Sequence, residues 1–350
     1  MRAFVVDHYG PDGLSEADVP TPTVGPRDVL VDVRAASVNP LDVMVRNGEF
    51  KLLLNHQRPF PLGHDVAGIV TAVGAEVRAF AVGDEVWARP RDRRIGTFAE
   101  QIAVDVADVA LKPASLSFAK AAAVPLVALA AWQALVEVAH VRPGQRVLVH
   151  AGAGGLGSTV IQLAHHLGAH VATTARGTDT DALTALGADE VVDFTTTDFT
   201  DVLSDYDVVL DSLGTESLNK SMTVLKRGGL AISVVGPPDP AFATQVGRPL
   251  LRPVMALLSR KVRRRARRLG VRYSFLFMRP DGARLATLAR LYDDGALRPV
   301  LDRTFDFDQT PEAIAHVEQG KAHGKVVITR PAVAEAVRVK LLASWCSAGE

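Results

Sequence analysis

The sequence predicts an α/β protein in which an N-terminal all-β region precedes a doubly wound parallel sheet. Three observations carry this reading. Residues 1–110 alternate short apolar runs with turn residues. From about residue 122, strand-like and helix-like stretches alternate, the pattern of a parallel sheet covered on both faces. At the start of that second region, Val147–Val149 runs into a Gly-rich turn and then into helix-compatible sequence.

In chain order, strands are expected at Ala3–Val6, Val29–Arg34, Val66–Val73, Glu85–Ala88 and Phe98–Val104. Gly10-Pro11, Gly25-Pro26, Asn39-Pro40, Gly74 and Gly83-Asp84 separate them. Ala119–Leu135 is apolar but interrupted by Lys120, Pro125 and Gln133; it is too short and broken for a membrane span and reads as a buried helix starting near Pro125. The second region predicts strands at 146–150, 170–174, 190–193, 207–211 and 229–235, with Arg272–Met278 as a sixth. Helices are expected around 156–167, 180–186 and 215–226. The chain closes with a helix near 281–293, a strand around 303–307, a helix around 310–319 and a strand at 325–329. The domains are thus 1–121 with 281–330, and 122–280 with an insertion at about 240–270; residues 331–350 form a tail with no partner signal.

Length and composition suit two domains with proper cores: 350 residues, 48% hydrophobic and 22% charged. Formal net charge is zero, so no global field draws the chain to nucleic acid or an anionic surface. Cys346 is the only cysteine, which excludes an internal disulfide and suits a reducing compartment. The opening MRAFVVDHYG contains no long apolar stretch, so a cytoplasmic protein without a secretory signal is expected. Ser259–Arg268 (SRKVRRRARR) carries seven basic residues. It reads as an exposed helix within the insertion, with phosphate-rich partners or a membrane surface as the alternative.

Gln145–Gly157 (QRVLVHAGAGGLG) carries the most chemistry. A strand, a tight turn and a helix in succession turn a glycine pattern into a dinucleotide site. Gly152 and Gly154, with Ala153 between them, are expected to turn the backbone sharply and bring it close to a pyrophosphate. Gly155 and Gly157, flanking Leu156, remove side chains where helix and strand touch. The helix N-terminus then offers free N–H groups and partial positive charge to the phosphates. The next strand ends in Thr173, Thr174, Ala175 and Arg176, with no acid before Asp179, and Thr174 and Arg176 are expected to face the cofactor. A carboxylate there would grip a ribose 2′-hydroxyl and repel a 2′-phosphate, whereas arginine binds the phosphate. NADPH is therefore expected over NADH.

These parts together resemble the medium-chain dehydrogenase/reductase superfamily over roughly residues 1–330. The resemblance rests on SVNPLDVMVRNG (Ser37–Gly48), PLGHDVAGIVTAVG (Pro61–Gly74), VGDEV (Val82–Val86), GTFAE (Gly96–Glu100), VPLVALAAWQAL (Val124–Leu135), Leu297–Phe305 and GKVVI (Gly324–Ile328). It implies a GroES-like β-domain and a Rossmann cofactor domain. Zinc-dependent members carry Cys where Asn39 stands, and the single Cys346 excludes a four-Cys structural lobe. His64 and Asp65 leave two candidate ligands where a catalytic zinc needs three. The resemblance thus implies the zinc-independent branch, which passes hydride from NADPH to a quinone or to the β-carbon of an α,β-unsaturated carbonyl.

By the same resemblance, Asn39 lies near the nicotinamide and donates to an oxygen, and His64 serves the reaction or braces a loop. Asp42 and Arg46 form an ion pair within the turn or act in catalysis. Val235 and Gly236 line the nicotinamide ribose. Phe275 and Phe277 flank backbone offered to the carboxamide, or are core. Lys325 approaches the adenosine phosphate or is exposed. Met44, Phe50 and Phe194 stand where the family often has tyrosines. A homodimer through the edge strand Arg272–Met278 is expected. Two other readings stand beside the reductase: an NADPH-binding redox-sensing or interaction protein with weak activity, and an enoyl-thioester reductase.

Overall fold

The computed structural model describes residues 1–54 and 56–330; the tail 331–350 lies outside the described residues. The chain forms two compact units. Of the described residues, the first comprises Met1–Pro125, Asp281–Ala289 and 301–330; the second comprises Leu126–Pro280 and Arg290–Val300. Residues 290–300, placed by the sequence reading in the first domain, therefore belong with the second.

The first unit is built on Asp28–Val38, a strand whose Val29, Val31 and Val33 are buried. Branched side chains suit such a pleated, covered surface. It pairs antiparallel with Asp65–Val73, Lys325–Thr329 and Gln101–Asp105. Glu85–Ala88, Val109–Leu111 and Leu301–Asp306 complete the sheet. A smaller sheet joins Arg2–Val6 to Leu14–Asp18 and Phe60–Pro61. Leu14–Asp18 (LSEAD) was not legible as a strand, because its pairing rests on backbone rather than on an apolar pattern. The register sets Ser37 opposite both Asp65 and Val327, bringing three distant segments together beside Asn39. Asn39 ends the strand and caps the helix Pro40–Arg46, whose proline supplies the fixed φ of a first helical position.

In the second unit all six strands are parallel: β1 (Arg146–Val149), β2 (His170–Ala175), β3 (Glu190–Asp193), β4 (Tyr206–Asp211), β5 (Leu225–Ser233) and β6 (Arg272–Phe275). Their spatial order is 3-2-1-4-5-6. This is the order whose reversal, between β1 and β4, leaves a crevice beyond the carboxyl ends of the strands. Helix α1 (Gly155–His166) follows β1, and α2 (Thr215–Ser221) follows β4. The helix from Pro125 to Trp132 is buried along Val127–Ala131, as its uniformly apolar sequence requires.

Two boundaries differ from expectation. The helix expected over 215–226 ends at Ser221, because Leu225 already pairs with Tyr206 of β4. The sixth strand stops at Phe275, where the Asp239 carboxylate accepts the Phe275 N–H; Arg279 then exchanges backbone bonds with the Gln133 side chain. Between β5 and β6 the insertion folds into α3 (Pro240–Gln245), a 3-10 turn at Pro249–Leu251, α4 (Arg252–Leu258) and α5 (Arg260–Leu269). Val262 and Ala266 of α5 are buried in the same core as Val209, Ala231 and Val271. Among the described residues, no helix is long and apolar enough to cross a membrane.

Candidate functional site

In the second unit, β1 delivers the chain into the Gly-rich turn beside the switch point. The residue in the left-handed region is Ala151 (φ 54°), not a glycine. The glycines answer a different need, close approach. A Cβ on Gly152 would overlap Thr173 Oγ1 and lie 3.1 Å from Ile161 Cδ1. One on Gly157 would overlap the Ala151 carbonyl and lie 2.8 Å from Gly152 Cα. Gly154 is the extended N-cap of α1 (φ −76°, ψ 166°). The N–H groups of Gly155, Leu156 and Gly157 then open the helix without carbonyl partners among the described residues, with Ala153 in the turn before them. Unpaired donors at the positive end of a helix form an anion-binding surface.

His150 is a member of this region that the sequence reading missed. Its ring is 1% exposed, with Thr174 Oγ1 2.9 Å from Nδ1 and Ser221 Oγ 2.8 Å from Nε2. Ser221 Oγ donates to the Ser217 carbonyl at 2.7 Å, so it accepts from Nε2–H, and Thr174 supplies the proton to Nδ1. Burial pushes the imidazole down to about 4. A neutral ring thus fastens β1 to β2 and α2. The expectation for Thr174 is corrected accordingly: its hydroxyl is buried and spent on His150. Arg176, two residues on, is exposed, and among the described residues its side chain has no hydrogen bond or ion pair.

At the end of β4, Asp211 is fully buried; it accepts from Ser233 Oγ at 2.9 Å and from the N–H groups of Leu213 and Gly214. Burial pushes this carboxyl up, against the pull of those donors. After β5, Val235 is exposed, while Gly236 is buried with no room for a Cβ, which would lie 2.8 Å from both Ser233 Oγ and Tyr273 Oη. Phe275 and Phe277 both pack edge-on to Phe242. The Phe275 N–H goes to Asp239 and the Phe277 carbonyl accepts from Gln245, so these backbone groups, expected to face a carboxamide, already have internal partners.

The first unit holds a buried polar cluster around Asn39. The Asn39 amide donates to Asp65 Oδ2 at 2.9 Å and weakly to the Ser37 carbonyl at 3.5 Å. Its oxygen accepts from Lys325 Nζ at 2.5 Å, and the same ammonium lies 3.6 Å from Asp65 Oδ2. Ser37 Oγ also donates to Asp65 Oδ2. Lys325 is 4% exposed, and burial lowers it, opposed by Asp65 and Asp42. This corrects both expectations for Lys325, which is neither exposed nor available to an adenosine phosphate. Asn39 is likewise engaged at both ends of its amide.

Asp42 and His64, each wholly buried, face one another at 2.6 Å (Oδ1 to Nδ1), and the second Asp42 oxygen accepts the Asn39 N–H at 2.7 Å. The expected Asp42–Arg46 pair is absent; Arg46 reaches Glu318 at 2.6 Å and Asn47 instead. Residues four apart share a helix face, but both Asp42 oxygens are already taken by the Asn39 N–H and His64, so Arg46 turns to Glu318 and Asn47. Among the described residues, no three His, Cys, Asp or Glu side chains form a group that could hold a metal ion.

Comparison with known proteins agrees with this architecture. Residues 25–114 match the alcohol dehydrogenase GroES-like domain, and residues 186–328 match the family described as zinc-binding dehydrogenase. The chain is 34% identical to the mitochondrial NAD(P)H oxidoreductase RTN4IP1 of Mus musculus, across 94% of this chain and 89% of that protein. It is 35% identical to the 2-methylene-furan-3-one reductase of Solanum lycopersicum, across 94% and 79%. The quinone oxidoreductase from Coxiella burnetii superposes with a TM-score of 0.83 at 30% identity, covering 95% of this chain and 99% of that one. Two units, a 3-2-1-4-5-6 sheet with its Gly-rich turn and whole-chain likeness converge: the chain belongs to the medium-chain dehydrogenase/reductase superfamily of oxidoreductases.

Proposed function

We propose that this protein is a zinc-independent reductase that uses NADPH to reduce a quinone or the activated double bond of an α,β-unsaturated carbonyl. The observation that carries the reading is the turn at Gly152–Gly157 together with the exposed Arg176 at the end of the neighbouring strand β2, whose side chain has no hydrogen bond or ion pair among the described residues. Without Cβ atoms, Gly152 and Gly157 let the turn pack tightly against Thr173 and Ala151, and the opening N–H groups of α1 suit a pyrophosphate. Arg176, with no carboxylate between it and Thr173, suits a 2′-phosphate. NADPH, when bound, supplies the hydride. The relatives, an NAD(P)H oxidoreductase, a 2-methylene-furan-3-one reductase and a quinone oxidoreductase, support the same class.

The protein's own part is orientation. We read Asn39, Asp42 and His64 as positioning residues: their buried bonds fix the turn Ser37–Gly48 rather than leaving a group free to touch an acceptor. Zinc is left out of the reading because the side chains do not form a ligand set. Asn39 Oδ1 is held by an ammonium, Asp65 Oδ2 by two donors, and His64 Nδ1 by Asp42. In the Asn39–His64–Asp65 set His64 Nε2 has no hydrogen-bond partner among the described residues, and one such atom falls short of three ligands. With Met44 and Phe50 in the turn, we read the proton needed after hydride delivery as coming from water, which favours quinones, whose reduced oxygens are weak bases.

The test is oxidation of NADPH against NADH with benzoquinone, phenanthrenequinone and a simple enone, with and without a chelator. Chelator-insensitive turnover selective for NADPH is expected. Arg176→Ala should raise KM for NADPH by roughly 10- to 100-fold, the loss of a charged hydrogen bond, and leave NADH unchanged. NADPH binding without turnover on any acceptor would replace the enzyme reading with the binding-protein one.

A further inference from the structure

The insertion between β5 and β6 presents two surfaces that the reductase reading does not use. Leu250, Val254, Leu257 and Leu258 are spaced by four, three and one residues along the Pro249–Leu258 helical run, and they are 92%, 48%, 68% and 54% exposed. At helical periodicity they form an apolar stripe, yet Met255, on the opposite side, is the buried one. A stripe that normally covers a core here faces outward.

Helix α5 follows after the buried Ser259, whose Oγ donates to the Met255 carbonyl. It is anchored by Val262 and Ala266, and every other position but Leu269 is Arg or Lys. Among the described residues no acid pairs with any of these seven cations; Arg265 alone has a partner, the Asn219 carbonyl. Lys261, Arg264, Arg265 and Arg268 line one groove with Leu269. Outward leucines and unneutralised cations, adjacent in the chain, match a surface with acyl chains below and negative headgroups above.

We infer that α4 and α5 dock the protein on an anionic lipid bilayer, the leucines entering the headgroup boundary and the α5 cations meeting lipid phosphates. Two other occupants fit less well. The exposed apolar side chains here are aliphatic and offer no stacking platform for bases. A second copy would bring two helices of seven like charges together.

The test uses the full chain in co-flotation with phosphatidylcholine vesicles, with and without phosphatidylglycerol, at about 0.15 M ionic strength. Binding is expected only to the anionic vesicles. The triple variant Lys261→Gln, Arg264→Gln, Arg268→Gln should bind about 100-fold more weakly, at roughly a fivefold loss for each charge. Leu257→Ser with Leu258→Ser should lose binding at this salt while keeping part of it at low salt. NADPH oxidation and the thermal midpoint serve as folding controls and should stay at wild-type values in both variants. Failure to bind anionic vesicles would overturn the inference, as would unaltered binding by the triple variant. So would RNA homopolymer binding that outcompetes the vesicles and ignores the leucine changes, or a leucine variant whose only effect is a smaller mass in light scattering.

Discussion

Protonation of His150 should unfasten the turn that carries the Gly-rich cradle. The ring is neutral in the folded protein, held between Thr174 and Ser221, and burial displaces it from 6.5 to about 4. In the unfolded chain it takes up a proton near 6.5, so between these values the unfolded state binds more protons. Stability from this group is therefore fully present above 6.5 and is lost as pH falls toward 4. At ~1.36 kcal/mol per pH unit the full loss is about 3 kcal/mol, a large share of the roughly 5–15 kcal/mol that holds a domain folded. His150→Gln keeps an acceptor and a donor but cannot titrate. Urea unfolding of both proteins from about pH 7.5 to about pH 4.5 should show the wild type losing about 2.5 kcal/mol more than the variant. Carboxylates and His56 titrate in both and cancel in the difference. Parallel pH profiles for wild type and variant, or an NMR titration putting the ring near 6.5, would refute the reasoning.

Further outcomes follow from the same geometry. Gly152→Ala drives a methyl into Thr173 Oγ1 and should cost about 1–3 kcal/mol of stability with weakened NADPH binding in isothermal titration; adding Thr173→Ala should recover part of both. Lys325→Met strands the Asn39 oxygen and removes the cation beside Asp65, so chemical denaturation should show a loss of about 3–5 kcal/mol, reduced when Asp65→Asn is combined with it. A homodimer through β6 must use Arg272–Ser274, since the Phe275 N–H is occupied; light scattering should give twice the chain mass, and a monomer mass would remove the edge-strand reading.

What was legible in the sequence was local. The strand, glycine turn and helix of Gln145–Gly157 lie within a dozen residues, and β-branched runs such as Val29–Val33 declare themselves by composition. What escaped was set by contacts far apart in the chain. Lys325 meets Asn39 across 286 positions, and His150 meets Ser221 across 71. No spacing rule reports such pairs, so a lysine in a GKVVI strand read as surface. Ala151 escaped for a different reason: Gly152 and Gly154 suggested that they make the sharp turn, whereas Ala151 takes the left-handed conformation and the lack of a Cβ at Gly152 and Gly157 is used for packing. The outward stripe at Leu250, Val254, Leu257 and Leu258 did carry a signal, helical periodicity, but periodicity alone does not say which face is covered.

The cluster at Asn39 shows why its members act as a unit. Asp65 accepts from Asn39 and Ser37 and sits 3.6 Å from the Lys325 ammonium; Asn39 in turn bridges Asp65 and Lys325 through the two ends of one amide. An ammonium at this depth is costly unless its charge is balanced and its donors are filled. Asp65 balances it, and the Asn39 and Val38 oxygens accept from it. A cysteine at position 39 would lose the amide donor to Asp65 and the oxygen facing Lys325 at once, so the residue at 39 and the lysine at 325 constrain each other. Building a metal site on position 39 therefore requires more than Asn39→Cys: the ammonium must leave as well. Asn39→Cys alone should destabilise without gaining zinc affinity in a chelator competition assay; adding Lys325→Met leaves Asp65 without its cation, so stability should return only when Asp65→Asn is added as well. Zinc uptake by the single variant, with Lys325 still present, would show that the ammonium does not hold the place this geometry gives it.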